Sequence, residues 1–220
     1  MKLEIACFNL ESAIHAAQEK VDRIELCAHY ELGGITPSLT LFKTLKAKYN
    51  LPIYVMIRPR GGNFVYLPGE IQQMEKEIRQ FGENGADGFV FGVLTSDHRV
   101  DQSQNKTLVS LAQGKPCTFH RAFDGIHDKN KALEELIACG FTSVLTAGGE
   151  HPATAGIDTL TALKTQAQNR IQILVGGGVR SYNVSDFKNF DFVHSAATKP
   201  GSASLALNEL RGLQRAIQAL

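Results

Sequence analysis

The chain has 220 residues, of which 43% are hydrophobic and 20% are charged. Its 23 Lys and Arg residues face 22 Asp and Glu residues, and the net charge of +1 argues against a nucleic-acid-binding or membrane-surface protein. The N-terminal segment lacks the apolar core of a signal peptide and no 18-residue apolar run occurs, so we expect a cytoplasmic protein.

Short apolar segments rich in β-branched residues alternate with helix-like segments along the chain. Strands are predicted at Leu3–Phe8, Arg23–Cys27, Ile53–Arg58, Gly88–Leu94, Pro116–Phe123, Ser143–Ala147, Ile171–Gly176 and Phe192–Ala196. Helices are predicted at Glu11–Lys20, Leu39–Tyr49, Glu70–Asn84, Asn105–Ala112, Lys129–Cys139, Ala155–Gln168, Val184–Lys188 and Leu205–Leu220. Ser38 and Asp128 are predicted N-caps, and Gly85 and Gly140 follow helix ends.

The strict alternation of strands and helices predicts an α/β fold with a parallel sheet, because parallel strands need a helical crossover. Eight such units of about 27 residues each lie near the small end of the range for a TIM (β/α)8 barrel. A doubly wound open sheet is the alternative, but it usually has fewer strands at this length. Since no linker divides the sequence, we predict a single compact barrel domain over residues 1–220.

Side chains alternate along a strand, which assigns each residue to the lumen or to the helix layer. In the third predicted strand, Ile53 and Val55 are assigned to the helix layer, and Tyr54 and Met56 to the lumen. Apolar neighbours predicted to face the helices leave several polar residues facing the lumen, namely Glu4, Glu25, Cys27, Arg58, His120 and His194. All of these except Glu4 lie late in their strands, at the end where TIM barrels place their active sites. Two interpretations stay open: a paired ionic core, with Glu4 or Glu25 held by Arg58, or a functional site.

Glycine-rich loops follow several strands and offer candidate anion sites. Arg60 lies beside Gly61-Gly62 after the third strand, where a guanidinium can hold a carboxylate or phosphate with two hydrogen bonds. Gly148-Gly149 follows the sixth strand, and Gly177-Gly178 follows the seventh, just before Ser181. Many barrels bind phosphate after the seventh strand, so we predict anion binding there. Asp124, four residues after His120, is expected either to orient the imidazole ring and take a proton or to cap a helix.

The four cysteines lie far apart and form no C-x-x-C pair, and a core of the size expected here needs no disulfides, so reduced thiols are expected. Cys7 is predicted to face the helices. Cys117 begins a predicted strand and Cys139 ends a predicted helix, as expected of small buried residues. Cys27 is therefore the cysteine predicted to reach the lumen.

Seven segments are distinctive: RIELCA, GGITPSLTL, IRPRGGNFVY, GFVFGVL, TFHRAFD, VLTAGG and VGGGVRSYN. In this order they resemble the CutC family, whose members are labelled copper homeostasis proteins, and the resemblance extends from Leu3 to about Ser195. It implies a TIM barrel, a cytoplasmic location, a homo-oligomer (dimer or tetramer) and copper binding. By position it implies functional residues at Glu25, Cys27, Arg58, Arg60, His120, Arg121, Asp124 and His194.

The chain departs from the CutC pattern at two places. Asn63 stands where an Asp is usual after the Gly-Gly pair, which removes one candidate ligand or charge. The segment that follows His194 is short, so a loop that partly covers the barrel mouth is expected to be trimmed.

Three functions remain compatible with these residues. Cu(I) prefers sulfur ligands, so Cys27 and Met56 are the candidate sulfur ligands, with His120 or His194 as a third ligand. A TIM-barrel enzyme would instead use Glu25 or His120 as base and His194 as acid or divalent-metal ligand, while Arg58 and Arg60 hold a small anionic or sugar-like substrate. Such an enzyme would be a lyase, an isomerase or a hydrolase. The third possibility is a non-catalytic protein that binds a small molecule.

Overall fold

The structure is a computed structural model that describes residues 1–199 and 201–220. Eight short strands alternate with helices. The strands are β1 (Lys2–Cys7), β2 (Arg23–Leu26), β3 (Ile53–Met56), β4 (Gly88–Phe91), β5 (Cys117–Phe119), β6 (Ser143–Thr146), β7 (Gln172–Val175) and β8 (Phe192–Ser195). The α-helices are α1 (Leu10–Gln18), α2 (Leu39–Lys48), α3 (Pro68–Glu83), α4 (Gln102–Leu111), α5 (Lys129–Cys139), α6 (Ile157–Ala167) and α7 (Leu207–Gln218).

The eight strands form one closed parallel barrel in sequence order. Each strand pairs with the next along the chain, and β8 pairs with β1, which closes the sheet. This closure confirms the predicted TIM barrel and excludes the doubly wound open sheet, in which both edge strands stay unpaired.

Alternation along the strands divides the residues as predicted. On β3, Ile53 and Val55 pack in the large cluster between the sheet and the helices. Tyr54 and Met56 instead pack inside the barrel, in a cluster that also contains Cys27 and Val90. Three further apolar side chains form a separate lumen cluster, namely Leu145, Leu174 and Phe192. The lumen is therefore filled by side chains, and its polar residues lie among apolar neighbours.

Helix ends follow the predicted signals. The Ser38 side chain accepts a hydrogen bond from the Leu41 amide at the start of α2, and Asp128 accepts one from the Lys131 amide at the start of α5. Gly140 ends α5 in the left-handed conformation, with φ of 90°. The two N-caps fix where these helices begin, and thereby where the preceding loops at the barrel mouth end.

Two predicted elements differ from the structure. The strand predicted at Pro116–Phe123 ends at Phe119, because Arg121–Gly125 turns into a 3-10 helix across the barrel mouth. The helix predicted at Val184–Lys188 is a 3-10 helix over Val184–Phe187, which is too short for a regular α-helical turn pattern. Most predicted strands are also one to three residues too long, because mainly apolar residues continue the strand pattern into the adjoining loops.

All four cysteines are free and buried, in agreement with the expected reduced thiols. Across residues 1–199 and 201–220, no helix is both long and apolar enough to cross a membrane.

Candidate functional site

A small cavity of about 140 Å³ opens at the carboxyl ends of the strands. Its polar wall is formed by Glu25, Arg58, His120, Arg121 and His194, and Phe8, Met56 and Phe64 contribute apolar surface. A larger depression of about 580 Å³ lies at the opposite end of the barrel, near the amino ends of β6 and β7. We place the candidate site in the smaller cavity, because it contains the buried ionisable residues and lies where TIM barrels place their active sites.

Strand register brings three charged residues together below this cavity. Glu4 on β1 is the register partner of Arg23 on β2 and of His194 on β8. The Glu4 carboxylate accepts hydrogen bonds from Arg23 Nε and, at 2.8 Å, from His194 Nδ1. The Arg23 guanidinium also lies between the rings of Tyr54 and Phe192, 4.1 Å and 4.3 Å from their centroids. Glu4 is fully buried, so this ion pair is part of the core.

These contacts determine the pKa of His194 and which of its ring nitrogens faces the cavity. Burial would raise the pKa of Glu4, but Arg23 and His194 outweigh burial and lower it, so Glu4 is ionised. Burial likewise acts to lower the pKa of His194, but Glu25 and Glu4 outweigh it and raise that pKa. Because Nδ1 donates to Glu4, His194 presents Nε2 to the cavity side, 3.9 Å from Glu25 Oε2.

Glu25 connects His194 with Cys27. The Cys27 Sγ atom lies 3.4 Å from Glu25 Oε2 and donates a hydrogen bond to it. Burial raises the pKa of Glu25, and the nearby charge of Glu4 raises it further, against the opposing effect of His194. Burial and Glu25 raise the pKa of Cys27 well above its usual value, so the thiol is protonated. Glu4, Glu25 and His194 hold ligand atoms within 4.8 Å of one another, the spacing of a metal site.

Arg58 does not pair with Glu4 or Glu25, so the predicted ionic core is wrong in its cation, which is Arg23. Arg58 follows the end of β3, and its guanidinium lies higher in the mouth than Glu4. It donates to the carbonyl oxygens of Leu32, Gly34 and Gly62 at 2.8, 2.9 and 3.0 Å. Its Cζ atom lies 4.8 Å from the Phe64 ring centroid. Arg58 thus ties two loops to the barrel.

His120 follows the end of β5 and faces the cavity, with its ring 4.6 Å from that of Phe64 between centroids. The Ala122 amide donates to Nδ1 at 3.4 Å, which places the ring proton on Nε2. Burial and the nearby Arg58 charge lower the pKa of His120 to about 3, so its ring is neutral at neutral pH.

Three buried polar atoms on the cavity wall have no hydrogen-bond partner in the part of the chain that the structure describes. They are Glu25 Oε1, Arg58 Nε and His120 Nε2, and we call them the orphan atoms. Buried polar groups are normally paired, and unpaired ones cost free energy. Three such atoms around one cavity favour a ligand that forms the missing hydrogen bonds.

Arg60 lies outside this cavity. Its guanidinium donates to Glu70 at 2.6 Å and to the Val65 carbonyl at 2.8 Å. It also donates to the carbonyl and side-chain oxygens of Asn63, both at 3.1 Å, so the residue that departs from the CutC pattern supports this loop. In this arrangement Arg60 fixes the loop after β3, and an anion would have to compete with Glu70 for it.

The glycine loops after β6 and β7 hold carboxylates of the protein itself. Asp124 accepts hydrogen bonds from the amides of Ala147 and Gly149 at 3.0 and 3.1 Å, and from Arg121 Nε at 2.7 Å. Asp124 therefore contacts neither the His120 ring nor a helix N-terminus.

After β7, the backbone N–H and the hydroxyl of Ser181 both donate to Glu209, at 2.8 and 3.0 Å. Around the neighbouring glycines, the Gly177 carbonyl accepts from the Ala153 amide at 2.7 Å, and the Gly178 carbonyl accepts from Asn183. An anion at Ser181 would have to displace Glu209, and one beside Gly148-Gly149 would have to displace Asp124.

Sequence reasoning missed Arg23 and the link between Glu4 and His194. Arg23 shares its strand parity with Glu25, and this signal could have identified it as a lumen residue. The pairing itself depends on the register of β1 with both neighbours, which parity alone does not give.

The low pKa of His120 predicts a measurable effect of pH on stability. The unfolded chain takes up a proton near pH 6.5, whereas the folded chain does so only near pH 3, so stability is complete above pH 6.5 and falls as the pH drops. Between pH 7 and pH 5 we expect the wild type to lose about 2 kcal/mol more than His120→Phe, measured by urea denaturation. The other ionisable residues of the cavity wall are the same in both proteins, so their contributions to the pH dependence cancel in the comparison. They are Glu25, Arg58, Arg121 and His194. Parallel pH profiles would contradict a neutral, buried His120.

Comparisons with known proteins agree with this architecture. The CutC family model matches residues 1–199. The Homo sapiens copper homeostasis protein cutC homolog is 42% identical over 182 residues, which cover 83% of this chain and 67% of the relative. The family protein CutC of Treponema denticola is 40% identical over 202 residues, covering 90% and 82%.

Among solved structures, CutC of Streptococcus agalactiae superposes with a TM-score of 0.85 at 35% identity, covering 89% of this chain and 98% of that structure. The aldolase QR15 superposes with a TM-score of 0.68 at 14% identity, covering 94% of each chain, which shows the fold alone. The chain belongs to the CutC family.

Proposed function

We propose that this protein binds copper as Cu(I) at the barrel mouth, with Cys27, Glu25 and His194 as ligands. The names of the relatives associate them with copper homeostasis. The observation that carries the proposal is that Glu25 Oε2 lies close to a donor atom of each of the other two residues. Cys27 Sγ lies 3.4 Å from Glu25 Oε2, and Glu25 Oε2 lies 3.9 Å from His194 Nε2.

This spacing suits a metal ion. Ligands bonded to a tetrahedral ion at about 2.0–2.3 Å lie roughly 3.5 Å from one another. A thiolate is the ligand type that Cu(I) prefers, and the thioether of Met56 packs in the same lumen cluster as Cys27. The set combines one soft donor with harder oxygen and nitrogen donors.

Binding requires that the Cys27 thiol lose its proton, because the thiolate is the metal ligand. The Glu25 carboxylate already accepts the thiol hydrogen bond. The pKa of Glu25 is raised, mainly by burial, so this carboxyl group takes up a proton readily. Glu25 is therefore suited to accept the thiol proton first, and it would serve as a copper ligand only after that proton has passed on and the carboxylate is ionised again.

His120, the remaining metal-ligand candidate, lines the same cavity. Its Nε2 atom carries the ring proton in the tautomer that the Ala122 amide favours, and a protonated ring nitrogen is not a metal ligand. The proposal therefore leaves His120 free for another role.

Replacement Cys27→Ala is expected to abolish Cu(I) binding, because it removes the sulfur donor at this site. The measurement is an anaerobic titration of the reduced protein against a chromophoric Cu(I) chelator. Cys139→Ala is the matched control, because Cys139 is also buried but ends α5. Full copper binding by Cys27→Ala, or loss of binding in both variants, would overturn this site.

A second candidate function, acid–base catalysis on a small anionic or sugar-like substrate, is favoured by the orphan atoms of the cavity. In that case Glu25 and His194 transfer protons, Arg58 and His120 bind the substrate, and Asp124 positions Arg121 on the rim. Turnover by the copper-free protein would establish this candidate. Binding without turnover would indicate a non-catalytic binding protein.

The cellular setting is also a proposal. Four free, buried cysteines support a cytoplasmic location, where thiols stay reduced. The expected partners are a metal ion or a small molecule, with no nucleic acid or membrane partner and with self-association as a dimer or tetramer.

A further inference from the structure

Two buried arginines lie in the barrel, and they differ in their partners. Arg23 is paired with the Glu4 carboxylate. Arg58, only 6% exposed, donates to three neutral carbonyl oxygens, and no carboxylate of the described residues forms a salt bridge with it. A buried positive charge without a counterion is costly, and proteins normally supply an anion to it. Arg58 thus lacks its anion.

The neighbourhood of Arg58 is built to receive one. Arg58 Nε and His120 Nε2 are both orphan atoms, and both residues line the cavity. Each carries a hydrogen, since Nδ1 of His120 accepts from the Ala122 amide. Phe64 packs against both residues and limits the positions that they can adopt. Two fixed N–H donors, one of them cationic, together resemble a carboxylate or oxyanion receptor.

Another part of the cavity wall, formed by residues of β2 and β8, offers a second set of groups. Glu25 Oε1 is the third orphan atom, and the His194 Nε2 atom lies beside the same carboxyl group. These groups suit a hydroxyl or carbonyl oxygen. The cavity of about 140 Å³ is less than half of roughly 300 Å³, the lower end for drug-sized ligands. Only a small molecule fits between the two sets of groups.

We infer that the cavity binds a small 2-oxo or 2-hydroxy carboxylate. Its carboxylate accepts hydrogen bonds from Arg58 Nε and His120 Nε2, and its neighbouring oxygen contacts Glu25 and His194. Arg121 also lies on the rim, where it is paired with Asp124. This site shares Glu25 and His194 with the copper proposal, but its anion-binding residues, Arg58 and His120, are not proposed copper ligands, so it is tested on the copper-free protein.

The test uses copper-free, full-length protein with pyruvate and lactate as probes. The side-chain N–H signals of Arg58 and His120 are followed in ¹H–¹⁵N NMR spectra, and affinity is taken from the titration. Both signals are expected to shift with either probe. Propionate, which lacks the second oxygen, and inorganic phosphate are expected to bind at least about tenfold more weakly, because each leaves polar groups unpaired.

Variants separate this site from a general charge effect. His120→Phe is expected to weaken pyruvate binding at least about tenfold, because it removes one N–H donor while keeping a ring. His120→Gln, whose side-chain amide restores a donor, is expected to recover part of the affinity. His127→Phe and Arg79→Lys are controls on exposed residues. Spectra of each variant without ligand establish that the barrel is folded.

Several outcomes would overturn the inference. They are the absence of any shift with pyruvate or lactate, tighter binding of phosphate than of either probe, and unchanged affinity in a folded His120→Phe protein. None of these results bears on the Cys27 copper titration, so the two proposals fail independently.

Discussion

Replacement of Glu4 with glutamine is expected to lower the free energy of unfolding by about 3–5 kcal/mol, because it leaves buried cations without their counterion. Glu4 is fully buried and is hydrogen-bonded to both Arg23 and His194. A glutamine side chain keeps the size of the carboxylate but removes its charge, and its NH2 group would meet a donor on either side. Urea denaturation at pH 7 measures the effect.

The matched control is Glu134→Gln on the protein surface. Glu134 pairs with Arg170 through two short hydrogen bonds, 2.7 and 2.8 Å, but both side chains are exposed to water. Solvent screens such pairs, so this change is expected to have a much smaller effect than Glu4→Gln. Equal effects of the two substitutions would refute the idea that burial makes the Glu4 interactions important.

Glu4 also matters for the site above it. The pKa of His194 is raised by Glu25 and Glu4 against the opposing effect of burial. The Glu4→Gln variant that remains folded should therefore titrate His194 at lower pH, which NMR of the ring detects. The buried carboxylate of Glu4 thus helps to set the pKa of His194, which is one of the proposed copper ligands at the mouth.

The barrel was predictable because each strand carries its own signal. Alternation placed Ile53 and Val55 towards the helices and Tyr54 and Met56 in the lumen, and the structure has them there. The same alternation brought Glu25, His120 and His194 to one end of the lumen. The alternation of side chains depends only on the strand itself, so it can be predicted without knowing which residues each side chain contacts.

The partners of the polar residues were not predictable in this way. One of the two open interpretations paired Arg58 with a lumen carboxylate, but depth in the barrel separates Arg58 from Glu4, and its guanidinium donates to the loop carbonyls of Leu32, Gly34 and Gly62. Depth follows from the register and stagger of eight strands, which no single segment contains. Local sequence therefore identifies lumen residues, but not the layer to which each belongs.

The glycine loops show the same limit at longer range. Gly148-Gly149 and the Ser181 turn look like free anion cradles when each segment is taken alone. In the folded chain Asp124, 23 residues before Ala147, and Glu209, 28 residues after Ser181, supply the anionic groups. The glycine-rich loops that supply the amide donors can be recognised in the sequence. The carboxylates that accept their hydrogen bonds come from distant segments of the chain, so they could not be predicted from the loops alone.

Close packing of the backbone at the loop after β6 leaves no room for a side chain at Gly156. Gly156 is buried where the 3-10 helix Ala153–Gly156 passes the loop that follows β6. A Cβ atom added at this position would lie well inside van der Waals contact with the carbonyl oxygen of Ala147. The backbone φ of Gly156 is −94°, so glycine is required here by the lack of space for a side chain and not by a left-handed conformation.

Replacement Gly156→Ala is therefore expected to destabilise the protein by more than about 4 kcal/mol, because the clash is with backbone atoms that cannot rotate away. The clash also falls on Ala147, whose amide donates to Asp124 at 3.0 Å, so the connection between β6 and the Arg121–Gly125 turn is expected to loosen.

Gly69→Ala provides the control. Gly69 lies in the first turn of α3, with no atom within 4 Å of an added Cβ. That change is expected to be neutral or to stabilise by up to about 1 kcal/mol. If thermal and urea unfolding place the two variants within experimental error of each other, the close approach of Gly156 to Ala147 is not a feature of the folded protein.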